Sequence, residues 1–346
     1  MRVNALDSFQ DLQPALHPVY ARVLCTELQA RGFDRDTILA GTRLNWQTLH
    51  DSNQFLNFDQ MRRLILHALG LTACPWLGLD VGFRTQASAH GMLGAAMIAS
   101  KDLPQAMLLL KRFAGLRQNL ADLHIEDRGG LCVVLVEKVK LGDLREYLYG
   151  QLLGGLAQLL TALTGLELPP RLRIEWPFDE PAWANQYARI AAHNSFGHAQ
   201  LVVHLDPDLL CCPSIGSDSD ALQRLVRDCE LQLNRLEHGA GLSDRVRLRL
   251  QATQGRMPTL LEMAHLENLT ERTLIRHLKA EGHSYKQLVD AVRVERACWL
   301  LEQTELTVEQ VSDALGYEDP SNFSRTFRRW TGLIPSHYRQ GDKGVG

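Results

Sequence analysis

No C-x-x-C pair occurs among the seven cysteines, and their odd number and scattered spacing provide neither a disulfide framework nor a zinc-ligand set. The adjacent pair Cys211-Cys212 would close a strained eight-membered ring if bridged, so it reads as small apolar packing. A charged-then-apolar N-terminal signal stretch is also missing. Together these absences predict reduced thiols in a cytoplasmic protein. There is no G-x-S-x-G elbow, no phosphate-binding loop and no dinucleotide fingerprint. Nor do two carboxylates stand out as an acid/base couple. An enzyme is therefore not expected, and no cofactor is implied. The thirteen histidines form no H-E-x-x-H. His193, His198 and His204 are near in sequence but read as ordinary histidines, and no metal is expected. An excess of one charge is lacking too: 37 Lys and Arg face 40 Asp and Glu, a net charge of -3. Tyr147–Leu166 lacks any charge for twenty residues, the length of a membrane span. It contains Gln151, Gln158, Thr161, Thr164 and glycines, and its leucines fall at helical spacing. It is predicted to be a buried helix, with no membrane partner.

At 346 residues, 45% of them apolar, the chain has room for two or three domains with real cores. The most informative stretch runs from Arg256 to Arg339. Thr259-x-x-Glu262 is a capping box, which starts a helix near Leu260. Asn268 breaks that helix, and Thr270 caps a second one from Glu271. Leu274 and Leu278 point inward, leaving Arg272, Arg276 and Lys279 on the exposed side. This is the plan of a helix-turn-helix, whose second helix enters the DNA major groove. The pattern recurs about fifty residues later. Thr307-x-x-Gln310 is another capping box, and Gly316 suits a left-handed turn. Asp319-Pro320 reads as N-cap plus first-turn proline. Phe323 and Phe327 face a core, while Ser321, Asn322, Ser324, Arg325 and Arg328 are left to face DNA. Arginine pairs bidentately with guanine and asparagine with adenine, and small hydroxyls reach phosphates. Between the two pairs, Ser284-x-x-Gln287 opens a helix to about Gln303, with Leu288, Val292, Ala297, Leu300 and Leu301 as its buried stripe. Such a helix would fix the spacing of two reading heads, about 34 Å on one face of B-DNA. From Ser243 to Gln340 there are fourteen Lys and Arg against thirteen Asp and Glu. Binding would thus rest on where the cations cluster rather than on bulk charge.

These residues resemble the C-terminal DNA-binding domain of the AraC/XylS transcriptional regulators. The strongest likeness lies in Ala314-Leu315-Gly316-Tyr317, Ser321-x-Phe323-x-Arg325-x-Phe327-Arg328-Arg329-Trp330-x-Gly332 and Pro335-x-x-Tyr338-Arg339. Three positions depart from the family pattern. Ile334 stands where Ser or Thr is usual, Ser312 where Ala is common, and Glu267-Asn268 where Leu-Gly is usual. The last is expected to weaken the first turn. The resemblance implies DNA-binding residues on both recognition helices. The first set is Glu271, Arg272, Thr273, Ile275, Arg276 and Lys279. The second is Ser321, Asn322, Ser324, Arg325 and Arg328.

Upstream, the spacing predicts helices over 19–31, 58–69, 76–81, about 103–116, 143–164 and 181–192. A hairpin is expected at 121–137 around Arg128-Gly129-Gly130, with strands at 171–176 and 200–205. Gly91-Met92-Leu93-Gly94, Ser100-x-x-Leu103-x-x-Ala106, the hairpin, the leucine helix and the strand before Trp176-Pro177 are similar to the arabinose-binding-type regulatory domain of one AraC branch. Members of that branch sense varied small metabolites, so a small-molecule effector is implied. Trp46, Trp76, Arg112, Arg117, Trp176 and Trp183 are possible lining residues, but packing is the commoner role for Trp and no effector site is named.

The expected fold is an α+β regulatory domain, mainly helical with a small antiparallel sheet, followed by an all-α DNA-binding domain with two helix-turn-helix units. Residues 1–215 would bind effector and dimerise, 216–242 would be a linker helix and hinge, and 243–340 would bind promoter DNA. The resemblance further implies a homodimer, contact with RNA polymerase and activation of transcription. Two alternatives stay open: a cysteine-based covalent or redox sensor, and a constitutive DNA-binding protein whose first domain only dimerises.

Overall fold

The computed structural model describes residues 14–50, 55–128, 130–238, 241–253, 256–317 and 319–340. They form two compact units that divide between Leu233 and Asn234.

The first unit opens with β1 (Pro14–Leu16), α1 (Pro18–Ala30), α2 (Arg35–Leu39) and α3 (Trp46–His50). Next come β2 (Leu56–Asn57), α4 (Phe58–Thr72), α5 (Leu77–Arg84), α6 (Gly91–Ala99) and α7 (Leu103–Phe113). The hairpin of β3 (Ala121–Asp127) and β4 (Leu131–Glu137) leads to α8 (Arg145–Thr164). Gly129 of the expected turn lies outside the described residues. The unit continues with β5 (Leu172–Glu175), β6 (His193–Ser195), β7 (Leu201–Leu205), α9 (Pro207–Leu210) and α10 (Ser219–His238). The division after Leu233 falls inside α10. The expected linker helix and hinge, 216–242, include residues 239 and 240, which lie outside the described residues.

Local chemistry explains several of these starts. The Asn57 side chain and Gln60 form a reciprocal capping box on α4. The Asp102 carboxylate accepts from the Gln105 amide at 2.9 Å to start α7. Helix α8, uncharged from Tyr147 onward, is largely buried and packs against α5. A Cβ on Gly78 would lie 2.1 Å from the Tyr147 carbonyl oxygen, and one on Gly82 2.9 Å from the Gly154 Cα. Small residues therefore let the two backbones touch, which explains the glycines of a helix that resembled a span.

The larger sheet has the order β3-β4-β7-β5-β6. The β5–β6 pair is parallel and the others antiparallel, so this sheet is mixed. The helix expected over 181–192 is not formed. Only a 3-10 segment, Ala184–Arg189, is helical there, and β6 follows at once. Tyr187 is drawn into an aromatic cluster, with its ring 4.3 Å from Trp176 and close to Phe178, Trp183 and Phe196. Tertiary packing of that ring outweighs local helical spacing.

Among its described residues the second unit forms helices and no strand: α11 (Leu242–Ala252), α12 (Leu260–Leu266), α13 (Glu271–Ala280), α14 (Tyr285–Gln303), α15 (Val308–Ala314), α16 (Pro320–Thr331) and α17 (Pro335–Arg339). It has two cores. One gathers Leu242, Val246, Leu250, Met263, Leu274 and Leu278 around Leu288, Val289 and Val292. The other gathers Val311, Leu315, Phe323 and Phe327 around Ala297, Trp299, Leu300 and Leu301. Helix α14 supplies the middle of both.

Candidate nucleic-acid interface

The first helix pair, α12–α13, starts as its sequence requires. The Glu262 amide donates to Thr259 Oγ1 at 3.2 Å, and the Thr259 amide donates to Glu262 Oε2 at 2.7 Å. Arg256 Nη2 lies 2.7 Å from Glu262 Oε1, and this contact, with those from Thr259, lowers the Glu262 carboxyl to about 2. The turn departs from the family pattern but is well held. Asn268 takes the left-handed conformation, φ 55°, which asparagine tolerates better than most residues. Glu267, its side chain only 4% exposed, is bridged by Arg245 Nε at 2.8 Å and Arg249 Nε at 2.5 Å. The feature expected to weaken the turn instead ties it to α11.

On α13, Thr270 accepts from the Thr273 amide, and Leu274 and Leu278 are fully buried. Glu271, Arg272, Ile275, Arg276 and Lys279 are exposed. Thr273 is half-buried, its hydroxyl 2.9 Å from that of Thr270. Arg272, Arg276 and Lys279 follow i, i+4, i+7 spacing and share one face.

The second pair, α15–α16, repeats the design. The Gln310 amide donates to Thr307 Oγ1 at 3.2 Å, and the Thr307 amide donates to Gln310 Oε1 at 2.8 Å. Gly316 is left-handed at φ 76°. The Asp319 carboxylate accepts from the Ser321 amide at 2.8 Å, a bond that lowers its pKa. Phe323 and Phe327 are fully buried, with ring centroids 5.7 Å apart. Ser321, Asn322, Arg325 and Arg328 are exposed, and Ser324 is half-buried. Ser321, Arg325 and Arg328 share the i, i+4, i+7 spacing of the first helix. Sequence reasoning left out Arg329, which is exposed and four residues beyond Arg325; that spacing was its signal.

Two arginines hold this scaffold from inside. Arg296, 2% exposed, donates through Nη2 to the carbonyls of Leu250, Gln251 and Thr253 at 2.9, 3.1 and 2.5 Å, closing the end of α11. Burial lowers its pKa to about 10. Arg339 donates to the carbonyls of Leu301 and Leu306.

In the first unit, the possible lining residues do not converge. Trp176 is fully buried, its Nε1 donating to Asn194 Oδ1 at 2.8 Å, and Trp183 packs on Tyr187. Arg35 sits over the Trp46 ring, and Arg112 pairs with Glu230 at 2.5 Å. None of the six lines the cavity of about 290 Å3 beside Phe83, Gln158, Thr161, Glu167 and Arg189.

Comparison with known proteins adds independent findings. Residues 32–214 match the arabinose-binding domain of the AraC transcription regulator, and residues 263–341 match a helix-turn-helix domain. The ornithine utilization regulator of Pseudomonas aeruginosa is 31% identical over 325 residues, covering 93% of this chain and 95% of that relative. The chain belongs to the AraC family of transcription regulators. An uncharacterised helix-turn-helix regulator of Mycobacterium tuberculosis is 29% identical to this AraC-family chain over 335 residues, covering 93% of the chain and 96% of the relative. The crystal structure of the regulator CdpR from Pseudomonas aeruginosa is 23% identical, covers 93% of this chain and 98% of its own, and has a TM-score of 0.46. This AraC-family protein is thus a DNA-binding transcription regulator with an arabinose-binding-type N-terminal domain. Among its described residues no single helix is long and apolar enough to cross a membrane.

Proposed function

We propose that this regulator activates transcription in the cytoplasm, binding promoter DNA as a homodimer and recruiting RNA polymerase under the control of a small-molecule effector. Residues 1–215 bind the effector and dimerise, 216–242 link, and 243–340 bind DNA. The observation that carries this reading is the repeated presentation of cations. In both helix pairs, a capped second helix sinks two large apolar residues into its own core and turns basic side chains outward. Glu271, Arg272, Thr273, Ile275, Arg276 and Lys279 read or position one groove segment. Ser321, Asn322, Ser324, Arg325 and Arg328 do so for the next. The effector's control lies in its differential affinity for two arrangements of the protein. The named relative that regulates ornithine utilization supports a metabolite effector.

The cysteine-sensor alternative needs a thiol with a lowered pKa. Burial pushes Cys25 up to about 12 and raises Cys132 and Cys229 as well.

The test is a titration of purified protein against its own upstream intergenic DNA, with random duplex as competitor, at two salt concentrations. Binding that survives competitor, with a footprint of two half-sites per dimer, is expected. Failure to bind any DNA at low salt sinks the reading.

A further inference from the structure

Arg117 lies just beyond α7 and is 7% exposed. No carboxylate pairs with it among the described residues, and its Nε is buried without a hydrogen-bond partner. The guanidinium rests where a side chain on Gly91 would be. A Cβ there would sit 1.8 Å from Arg117 Nη2, and the backbone of Gly91 has φ 58°. Glycine is thus needed twice, for the turn and for the arginine's seat.

His90, next to Gly91, extends the polar surroundings. Its Nδ1 is 3.0 Å from the Tyr20 hydroxyl, while its Nε2 is buried and has no partner. Burial raises the Tyr20 phenol to about 12, so it keeps its proton and donates to Nδ1. Burial, then Arg117, lowers His90 to about 4, so the ring is neutral with its one proton on Nε2. A Cβ on Gly155 of α8 would lie 3.8 Å from that Nε2. One and two turns earlier on the same helical face are Gln151 and Tyr147, and Gln151 Nε2 and Tyr147 Oη are also buried without partners. The row therefore offers unmet N–H donors from Arg117, His90 and Gln151, and it carries one positive charge. Among the described residues Arg22 is a second cation whose charge is felt at Arg117, and its Nη1 is turned to the Leu49 carbonyl at 2.5 Å.

A buried cation without a counter-ion is retained at a cost unless an anion completes it. We propose that Arg117, with His90 beside it, anchors the carboxylate of a small-molecule effector whose other polar groups run toward Gln151 and Tyr147. A carboxylate fits a single positive charge and a lining dominated by N–H and O–H donors; a phosphate dianion would call for a second cation. The stretch ending at Arg117 is also the one on which α10 packs, through Arg112–Glu230 at 2.5 Å and Leu233 beside Gly115. Occupation of Arg117 is felt there first. The assignment rests on the effector-controlled reading above and gives it a ligand class.

Thermal unfolding of the full-length protein tests it. The probes are the amino acids, basic non-proteinogenic ones included, the C3–C6 mono- and dicarboxylates, the carboxamide of each hit, and inorganic phosphate. At least one carboxylate is expected to raise Tm by several degrees, with no response to its carboxamide or to phosphate. Arg117→Met should lose that response while melting, ligand-free, no lower than the wild type. Arg117→Lys keeps the charge without the fork and should weaken binding of the hit at least tenfold. If Arg117→Met does not fold, the lysine variant decides alone, and undiminished affinity overturns the site. A hit that stabilises wild type and Arg117→Met alike also overturns it, but leaves effector control standing. A phosphate response equal to that of the carboxylates overturns the ligand class. No response to any probe overturns the site and its ligand class, and leaves effector control to a ligand of other chemistry.

Discussion

The Glu281 carboxylate accepts a hydrogen bond from the Ser243 amide at 2.7 Å across 38 residues of sequence. It also accepts from the Leu242 amide at 2.9 Å, so the residue that ends α13 caps α11, whose own N-cap, Gly241, has no side chain to do so. Glu281→Gln should cost about 1 kcal/mol, the usual value of a cap. Burial alone would raise the Glu281 carboxyl, but the bonds from Ser243 and Leu242 outweigh it and leave the pKa below its ordinary value. Its contribution to stability is therefore full above the unfolded pKa of about 4.3 and lost as pH falls through the lower folded value. Urea unfolding at pH 7 and pH 3 should show the difference between wild type and Glu281→Gln shrinking with acid. A difference that grows with acid would contradict the assignment.

Ser312 is fully buried and its hydroxyl has no partner among the described residues. Ser312→Ala should therefore stabilise the protein by about 1 kcal/mol, because it removes an unsatisfied polar group without leaving a large cavity. A higher urea midpoint at unchanged slope would bear this out.

Arg296→Met keeps most of the buried volume but leaves the carbonyls of Leu250, Gln251 and Thr253 without this donor. A loss of about 2–3 kcal/mol is expected, with amide exchange accelerated first at the end of α11. Protection unchanged there would show that the guanidinium does not hold that helix.

Arg325→Ala should lower affinity for the specific operator by about 1–3 kcal/mol if the side chain reads a base. Competition against random duplex separates the cases. Equal loss on both duplexes, with a shallower salt dependence, makes Arg325 a phosphate contact instead.

What the sequence disclosed followed the range of the interactions. Thr259 with Glu262, Ser284 with Gln287 and Thr307 with Gln310 are three residues apart, so each cap and helix start was legible. The buried faces marked by Leu274, Leu278, Phe323 and Phe327 were legible for the same reason. The exposed positions of Arg272, Arg276, Lys279, Arg325 and Arg328 were legible too; whether they touch DNA is a property of the complex. Contacts across the chain left no such trace. Glu281 on α11, Arg296 on three carbonyls and Glu267 between two arginines join residues 18 to 46 positions apart. Charged side chains in these roles look like surface residues in the sequence. The β5–β6 pairing was hidden likewise, because Tyr187 packs as an aromatic where its neighbours suggested helix. Arg117 was noticed only as one possible lining residue, since nothing local reveals that it lacks a counter-ion.

The division of α14 between two cores bears on how such regulators diversify. Leu288, Val289 and Val292 serve one reading helix, and Ala297, Leu300 and Leu301 serve the other. Among the described residues the Ser321 side chain bonds only to Asp319 at its own helix cap, while no side-chain hydrogen bond holds Asn322, Arg325, Arg328, Arg272 or Lys279, all of them exposed. On the proposed reading, mutations at these positions would change the message without taxing the machine that carries it. Either groove segment of a half-site could then drift while the other stays readable, so a lineage could acquire new promoters one segment at a time.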